Sequence, residues 1–217
     1  MILAFDGYFF DLDGTLYDNA CGMQDYINTR IGEWIMKTLQ MPAEEIEPFR
    51  EDLYQRYGGT LPGLAVEYGS DYYASLRYCH DFPAENFVKP NPLLHDRLCQ
   101  LSGRKYVFTT GYRFYAVNVL KVLGILDCFD GIIDAVDVFP DPKPSAKAFR
   151  RALEITAEPD VHRCAFLDDQ PRNVAAGHRA GFFSVQVGTE FPPDPLADAR
   201  ISCIEDLLTI PQFRQEG

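Results

Sequence analysis

The hydrophobic positions fall into two regimes along the chain. Near the start, Tyr8, Phe9 and Phe10 form an unbroken aromatic run, the pattern of a short buried strand. It passes directly into Asp11, Asp13 and Gly14, residues that end a strand. Asp18 and Asn19 then offer helix-capping oxygens, and Met23, Ile27, Ile31, Trp34, Ile35 and Leu39 recur at helical spacing. Pro42 with Glu44, Glu45 and Glu47 marks a second helix start, with proline in the first turn and acids near the positive end of the dipole. That helix is expected to reach about Tyr57 and to break at Gly58-Gly59. Thr60-Leu61-Pro62-Gly63 is a turn or a new helix start, residues 64–79 are aromatic-rich and read as helix, and Pro83, Pro90 and Pro92 punctuate the exit. Everything from Asp18 to Phe87 is therefore expected to be helical.

From Leu93 the period changes. Leu93, Leu94, Leu98 and Leu101 predict a helix, Tyr106–Thr109 a strand, and Ala116, Val119, Leu120 and Leu123 a helix ended by Gly124. A strand comes next over Phe129–Ala135, then a helix over Ser145–Ile155, a strand over Cys164–Leu167, a helix over Asn173–Ala180 and a strand over Phe183–Val187. Ile204, Leu207 and Leu208 suggest a closing helix. Strands alternating with helices predict an α/β fold, a doubly wound, mostly parallel, Rossmann-like sheet, with an all-helical insertion after the first strand. The expected division is a core of residues 1–17 and 88–217 and an insert of residues 18–87. In such sheets ligands bind beyond the carboxyl ends of the strands, so the residues just past each strand carry the chemistry.

Composition narrows the partners. The 217 residues are 47% hydrophobic, enough for a sizeable core. A formal net charge of -12 argues against nucleic acid or an anionic membrane as the main partner. The six cysteines form no C-x-x-C pair, which reads as reduced thiols in a cytoplasmic protein, and zinc-ligand spacing is missing. The N-terminus carries no signal-peptide pattern and no run approaches a membrane span. Oligomeric state is left open.

Asp11 and Asp13, two residues apart, suit attack on phosphorus. One carboxylate would form an aspartyl phosphate, and the second would protonate the leaving oxygen and then deprotonate water. Both partners of that attack are anionic, so a cation such as Mg2+ is needed between them. Taken alone, this D-x-D reads better as an acidic strand end or a turn; the hydrophobic strand in front of it and Gly14-Thr15-Leu16 behind it reverse that preference. Thr109-Thr110-Gly111 after the second strand is a phosphate cradle or an ordinary helix cap. Lys143, bracketed by Pro142 and Pro144, is a fixed ammonium that would neutralise phosphoryl charge, or a solvated loop lysine. Asp168-Asp169, at the end of an apolar strand, repel each other unless a cation sits nearby; one of them is otherwise an N-cap.

The string Phe10-Asp11-Leu12-Asp13-Gly14-Thr15-Leu16-Tyr17, with Thr109, Lys143 and Asp168-Asp169 after it in that order, resembles the four motifs of the haloacid dehalogenase-like superfamily. The resemblance covers essentially the whole chain, including the helical insertion, where that family places its cap domain. It implies Asp11 as nucleophile, Asp13 as general acid/base, and Thr109 and Lys143, with Thr110 and Gly111, around the phosphoryl oxygens. It implies Mg2+ on Asp11, the Asp13 backbone carbonyl and Asp169, with Asp168 nearby or coordinating. Asn173 falls where many members carry a further acid.

Within the superfamily, Phe9–Asp13 with Leu16-Tyr17, Tyr57-Gly58 to Leu64-Ala65, and Phe108–Tyr112 are most similar to the pyrimidine 5′-nucleotidase branch. Thr110 stands where that branch often has Asn, and Tyr115 where it often has His. The implied partner is a small phosphorylated metabolite, a nucleoside monophosphate by this likeness. Phosphoglycolate, a sugar phosphate, or phosphomutase chemistry are the alternatives. A receiver-type phosphoacceptor shares the acids, hydroxyl and lysine, but Asp13 would hasten loss of its phosphoryl group. In the insert, Tyr54, Tyr57, Tyr68, Tyr72, Tyr73, Tyr78, Arg77 and His80 are candidates to meet a leaving group or to form its core. Gly58-Gly59-Thr60-Leu61 is the candidate substrate loop, and Arg113 a candidate for a substrate anion or for solvent.

Overall fold

The computed structural model describes residues 5–214. One sheet contains β1 (Gly7–Phe10), β2 (Arg104–Phe108), β3 (Gly131–Ile133), β4 (Cys164–Asp168), β5 (Phe183–Val187) and β6 (Ala199–Ile201), in the order β3-β2-β1-β4-β5-β6. Every neighbouring pair is parallel. This is the doubly wound α/β arrangement that strand–helix alternation requires.

The aromatic run of β1 is buried on both faces because the strand lies mid-sheet with helices above and below. Successive side chains alternate. Tyr8 and Phe10 join a large cluster with Leu94, Leu98, Val119 and Leu120 from α5 (Pro92–Cys99) and α6 (Arg113–Leu123). Phe9 joins Phe108, Phe166, Phe149 and Phe182 on the opposite face, under α7 (Ala146–Thr156) and α8 (Pro171–Ala180). Edge-to-face packing at 5.1 Å between Phe149 and Phe166 fixes α7 against β4.

The chain leaves β1 outward through β2 and β3, then returns across the sheet to β4 and on to β5 and β6. The switch point therefore lies at β1 and β4, where a crevice opens beyond the carboxyl ends. Register sets the meeting point: Phe10 pairs with Val107 and with Leu167. Asp11 consequently emerges beside Asp168, and its N–H donates to the Leu167 carbonyl at 2.8 Å.

Between β1 and β2 stand α1 (Met23–Leu39), α2 (Ala43–Tyr57), α3 (Thr60–Tyr68) and α4 (Tyr72–His80), packed on one another. The expected single helix over residues 64–79 is two. Gly69 ends α3 in a left-handed conformation, and Asp71 opens α4 by accepting a hydrogen bond from the Ala74 N–H at 3.0 Å. Met23, Ile27, Leu64 and Leu76 of this insert belong to the same apolar cluster as Phe10 and Leu12, so its helices are seated on the sheet's end.

Three other expectations change. The strand expected over Phe129–Ala135 is only Gly131–Ile133. The tail forms β6 and two short 3-10 turns, Ile204–Thr209 and Pro211–Phe213, instead of a closing helix; Pro211 denies a longer helix its N–H. β6 is absent from the sequence pattern because three residues are too few to show alternation. Among the described residues no helix is long and apolar enough to cross a membrane.

Gly58 ends α2 with φ +76°, and a Cβ placed there would lie 2.7 Å from the Lys143 carbonyl oxygen. Gly58→Ala is expected to cost about 1–3 kcal/mol, combining left-handed strain with that backbone clash. Urea unfolding measures it; a change below a few tenths of a kcal/mol would mean that the loop gives way freely.

Candidate active site

Four side chains from three separate parts of the chain meet at the switch point. Asp11 ends β1, Lys143 lies in the loop before α7, and Asp168 and Asp169 stand at the end of β4 and just past it. The Lys143 ammonium, 1% exposed, donates to Asp11 Oδ1 and to Asp168 Oδ2, each at 2.7 Å. Asp168 also accepts from the Gln170 N–H at 2.9 Å and from Asn173 Nδ2, which lies 3.1 Å from both its oxygens. Asp169 has fewer donors, Gln170 Nε2 at 2.8 Å and Asn19 Nδ2 at 3.5 Å. Gly14, at φ +80°, keeps this corner open: a Cβ there would meet Asn19 Nδ2 at 2.6 Å and Asp169 Oδ2 at 2.7 Å.

The electrostatics call for more positive charge than Lys143 provides. Burial pushes the Asp11 carboxyl well above the usual range; Lys143 pulls it down, and Asp168, Asp169 and Asp13 push it up again. Burial and then Asp168 raise Asp169 to about 7. Lys143 is held above its ordinary value despite burial, because Asp11 and Asp168 both favour the ammonium. Carboxylate oxygens of Asp11, Asp168 and Asp169 lie within 4.8 Å of one another. Asn19 Oδ1 and Asn173 Oδ1 are buried acceptors without a partner. An all-oxygen donor set with excess negative charge fits a hard divalent cation such as Mg2+.

Asp13 is turned toward two phenols. Its Oδ1 accepts from Tyr17 Oη and, at 2.5 Å, from Tyr115 Oη, and the two hydroxyls are 2.9 Å apart. Tyr115 is wedged between His80 and Phe82, with ring centroids at 5.0 Å and 5.7 Å. Nothing along the chain foretells this clamp beyond a tyrosine at an unusual place. Thr109 is fully buried at the end of β2, and its hydroxyl accepts from the Gly111 N–H at 2.8 Å. Thr110 and Gly111 line the cavity directly.

That cavity, about 360 Å³, runs from Asp11, Asp13, Lys143 and Asp169 to the insert. On the insert side its lining is mixed, with the polar Gln24, Asn28, Glu47 and Arg50 beside Ile27, Ile31 and Leu76. Arg50 donates to Asn28 Oδ1 at 2.6 Å and to Glu47 Oε2 at 2.7 Å. The Gly58-Gly59-Thr60-Leu61 segment forms one side. Of the insert's candidate side chains, Tyr54, Tyr72 and His80 reach the cavity. Tyr57 and Tyr78 spend their hydroxyls on Glu67 and Glu33, while Tyr68 and Tyr73 are exposed. Tyr72 stacks on Phe139 at 4.3 Å and donates to the Ala135 carbonyl at 3.2 Å, tying the insert to the loop after β3. Arg113 pairs with Asp137 at 2.6 Å. Arg172 belongs to no motif that would single it out in the sequence. Its guanidinium lies 3.6 Å from the Tyr54 ring centroid and donates to the Gly58 carbonyl at 3.1 Å, so α8 grips the end of α2.

A family profile described as haloacid dehalogenase-like hydrolase matches residues 5–181. Phosphate metabolism protein 8 of Saccharomyces cerevisiae is 28% identical over 188 residues, covering 80% of this chain and 59% of that protein, so the chain spans less than two thirds of that relative. Validoxylamine A 7′-phosphate phosphatase of Streptomyces hygroscopicus subsp. limoneus is 27% identical over 215 residues, covering 93% of each chain. The magnesium-bound structure of YfnB from Bacillus subtilis has the same fold, with a TM-score of 0.65 and 16% identity over 96% of this chain and 99% of that one. The chain belongs to the haloacid dehalogenase-like hydrolases.

Proposed function

We propose that the protein is a Mg2+-dependent phosphomonoester hydrolase working through an aspartyl phosphate. The observation that carries this is the convergence of Asp11, Lys143, Asp168 and Asp169 at one end of a cavity that Asp13 also lines. Residues 1–17 and 88–217 would form the catalytic core and residues 18–87 the cap; residues 1–4 and 215–217 lie outside those described.

Asp11 is the nucleophile. Its carboxylate oxygen bonds to phosphorus as the ester P–O bond breaks, and Asp13 gives its proton to the departing oxygen. Water then attacks the aspartyl phosphate and yields a proton to Asp13, and the bond between phosphorus and the Asp11 oxygen breaks to free phosphate. Lys143 holds the Asp11 carboxylate in place and offsets phosphoryl charge. The Thr109–Gly111 turn before α6 would hold the phosphoryl oxygens, chiefly through Thr110, because the Thr109 N–H is spent on the Ile133 carbonyl at 3.0 Å and the Gly111 N–H on Thr109 Oγ1 at 2.8 Å. Mg2+ would be held by Asp11, Asp169 and the Asp13 carbonyl, and supplies charge neutralisation between two anions. Asp168, its oxygens already engaged by Lys143, Asn173 and the Gln170 N–H, is better suited to positioning Lys143.

The leaving group is read as hydroxyl-bearing. Likeness to the pyrimidine 5′-nucleotidase branch favours a nucleoside monophosphate. The polar side chains Gln24, Asn28, Glu47 and Arg50 support a second reading, the phosphate of a sugar or related polyol, since they offer donors and acceptors to several hydroxyl groups. A phosphate-release screen over nucleoside monophosphates, sugar phosphates and phosphoglycolate separates them; at least about a tenfold advantage in kcat/KM for pyrimidine nucleotides supports the first, and a sugar-phosphate advantage the second. EDTA is expected to suppress release by at least ~10²-fold and Mg2+ to restore it. An unchanged rate in EDTA removes the metal from the scheme.

A further inference from the structure

A second cluster of metal-binding side chains lies away from the Asp11 centre. His95 and Cys99, four apart on α5, share one helix face. Cys128 comes from the turn just after α6. α5 leads into β2 and that turn leads toward β3, so the cluster sits toward the amino ends of these strands, at the opposite end of the sheet from Asp11. His95 Nδ1 is 3.8 Å from Cys99 Sγ, and one donor atom from each of His95, Cys99 and Cys128 falls within 4.8 Å of the others. All six cysteines are free thiols.

Although the chain shows no zinc-ligand spacing along its length, we propose that His95, Cys99 and Cys128, brought together by the fold, form a separate site for a thiophilic cation, zinc by its ligand set. Two sulfurs and an imidazole select zinc-type ions over Mg2+. Tetrahedral zinc, with bonds of about 2.0–2.1 Å to nitrogen and 2.3 Å to sulfur, holds its ligand atoms about 3.5–3.8 Å apart, so the observed spacing needs only small side-chain adjustments. Asp127 Oδ2 is 3.6 Å from His95 Nε2, placed to orient the ring from outside as carboxylates do for metal-bound histidines. Asp96 Oδ1, 3.7 Å from Nδ1, or water would complete four-fold coordination. Both carboxylates are mostly exposed and leave the position open to an ion. The ion would staple α5 to the turn beyond α6 and so brace both flanks of β2.

The test uses the full chain, reduced and stripped of metal. Native mass spectrometry is expected to show one zinc ion per chain, and Co2+ to produce a thiolate-to-metal absorption band in the near ultraviolet. Cys99→Ser, at an exposed position, is expected to abolish that band and weaken zinc binding at least about tenfold, with Mg2+-supported phosphate release unchanged. Cys128→Ser is expected to do the same. The proposal fails if Co2+ gives no thiolate band, if zinc affinity is the same in Cys99→Ser, or if chain isolated without reductant carries a Cys99–Cys128 disulfide and takes up no zinc.

Discussion

Asp11→Asn is expected to reduce kcat for metal-supported hydrolysis of an aryl phosphate by at least about 10³-fold. Asparagine keeps the size of the side chain, and its amide oxygen can still accept from Lys143, so the fold should survive. It loses the oxygen that attacks phosphorus and one of the three carboxylates around the cation position. Folding is checked by circular dichroism, and the nucleophile by mass spectrometry of protein quenched during turnover, which should place phosphate on Asp11 in the wild type and nowhere in the variant. Near wild-type turnover, or phosphate on another residue, would falsify the assignment.

Lys143→Met should be the most destabilising single change at the site. The Lys143 ammonium contacts Asp11 and Asp168 and lies 5.0 Å and 5.3 Å from the ring centroids of Phe108 and Phe166. Methionine fills the apolar part of that space but leaves two buried carboxyls unopposed. Breaking such a pair costs about 3–5 kcal/mol, moderated to the extent that the acids take up protons instead. The measurement is urea unfolding near neutral pH without divalent ions. Adding Asp168→Asn to Lys143→Met should recover at least ~1 kcal/mol, because it removes one of the stranded charges. If Lys143→Met costs less than ~1 kcal/mol, or the second change recovers nothing, Lys143 is not the compensating charge. Phosphate release should fall with it, since an uncompensated Asp11 is driven toward its protonated form.

Much of this was legible along the chain because the signals are local. The β1 aromatic run, the period of α1, and Gly124 and Gly181 as helix stops all depend on near neighbours, and the structure has them where expected. Errors came where a short feature carries little pattern. β6 is three residues long, and the break between α3 and α4 rests on Gly69 and Asp71 inside an otherwise helical composition. The cavity's insert wall was less legible still. Tyrosines were the obvious candidates, yet most pack or bond elsewhere, and Arg50, Asn28 and Arg172 carry no periodic or motif signal.

The succession of strands from β1 to β5 and the identity of the charged groups at their ends could be read from the sequence, since strand periodicity and turn chemistry act over a few residues. Which of those groups touch was decided by β-sheet register and strand order, which pair Phe10 with Leu167 and bring Lys143 to both Asp11 and Asp168. The same holds for Tyr115 on Asp13, for Arg172 on the Gly58 loop, and for Cys128 beside His95 and Cys99. Each joins residues distant in the chain, and such contacts arise only when the helices and sheet pack and bring them within reach.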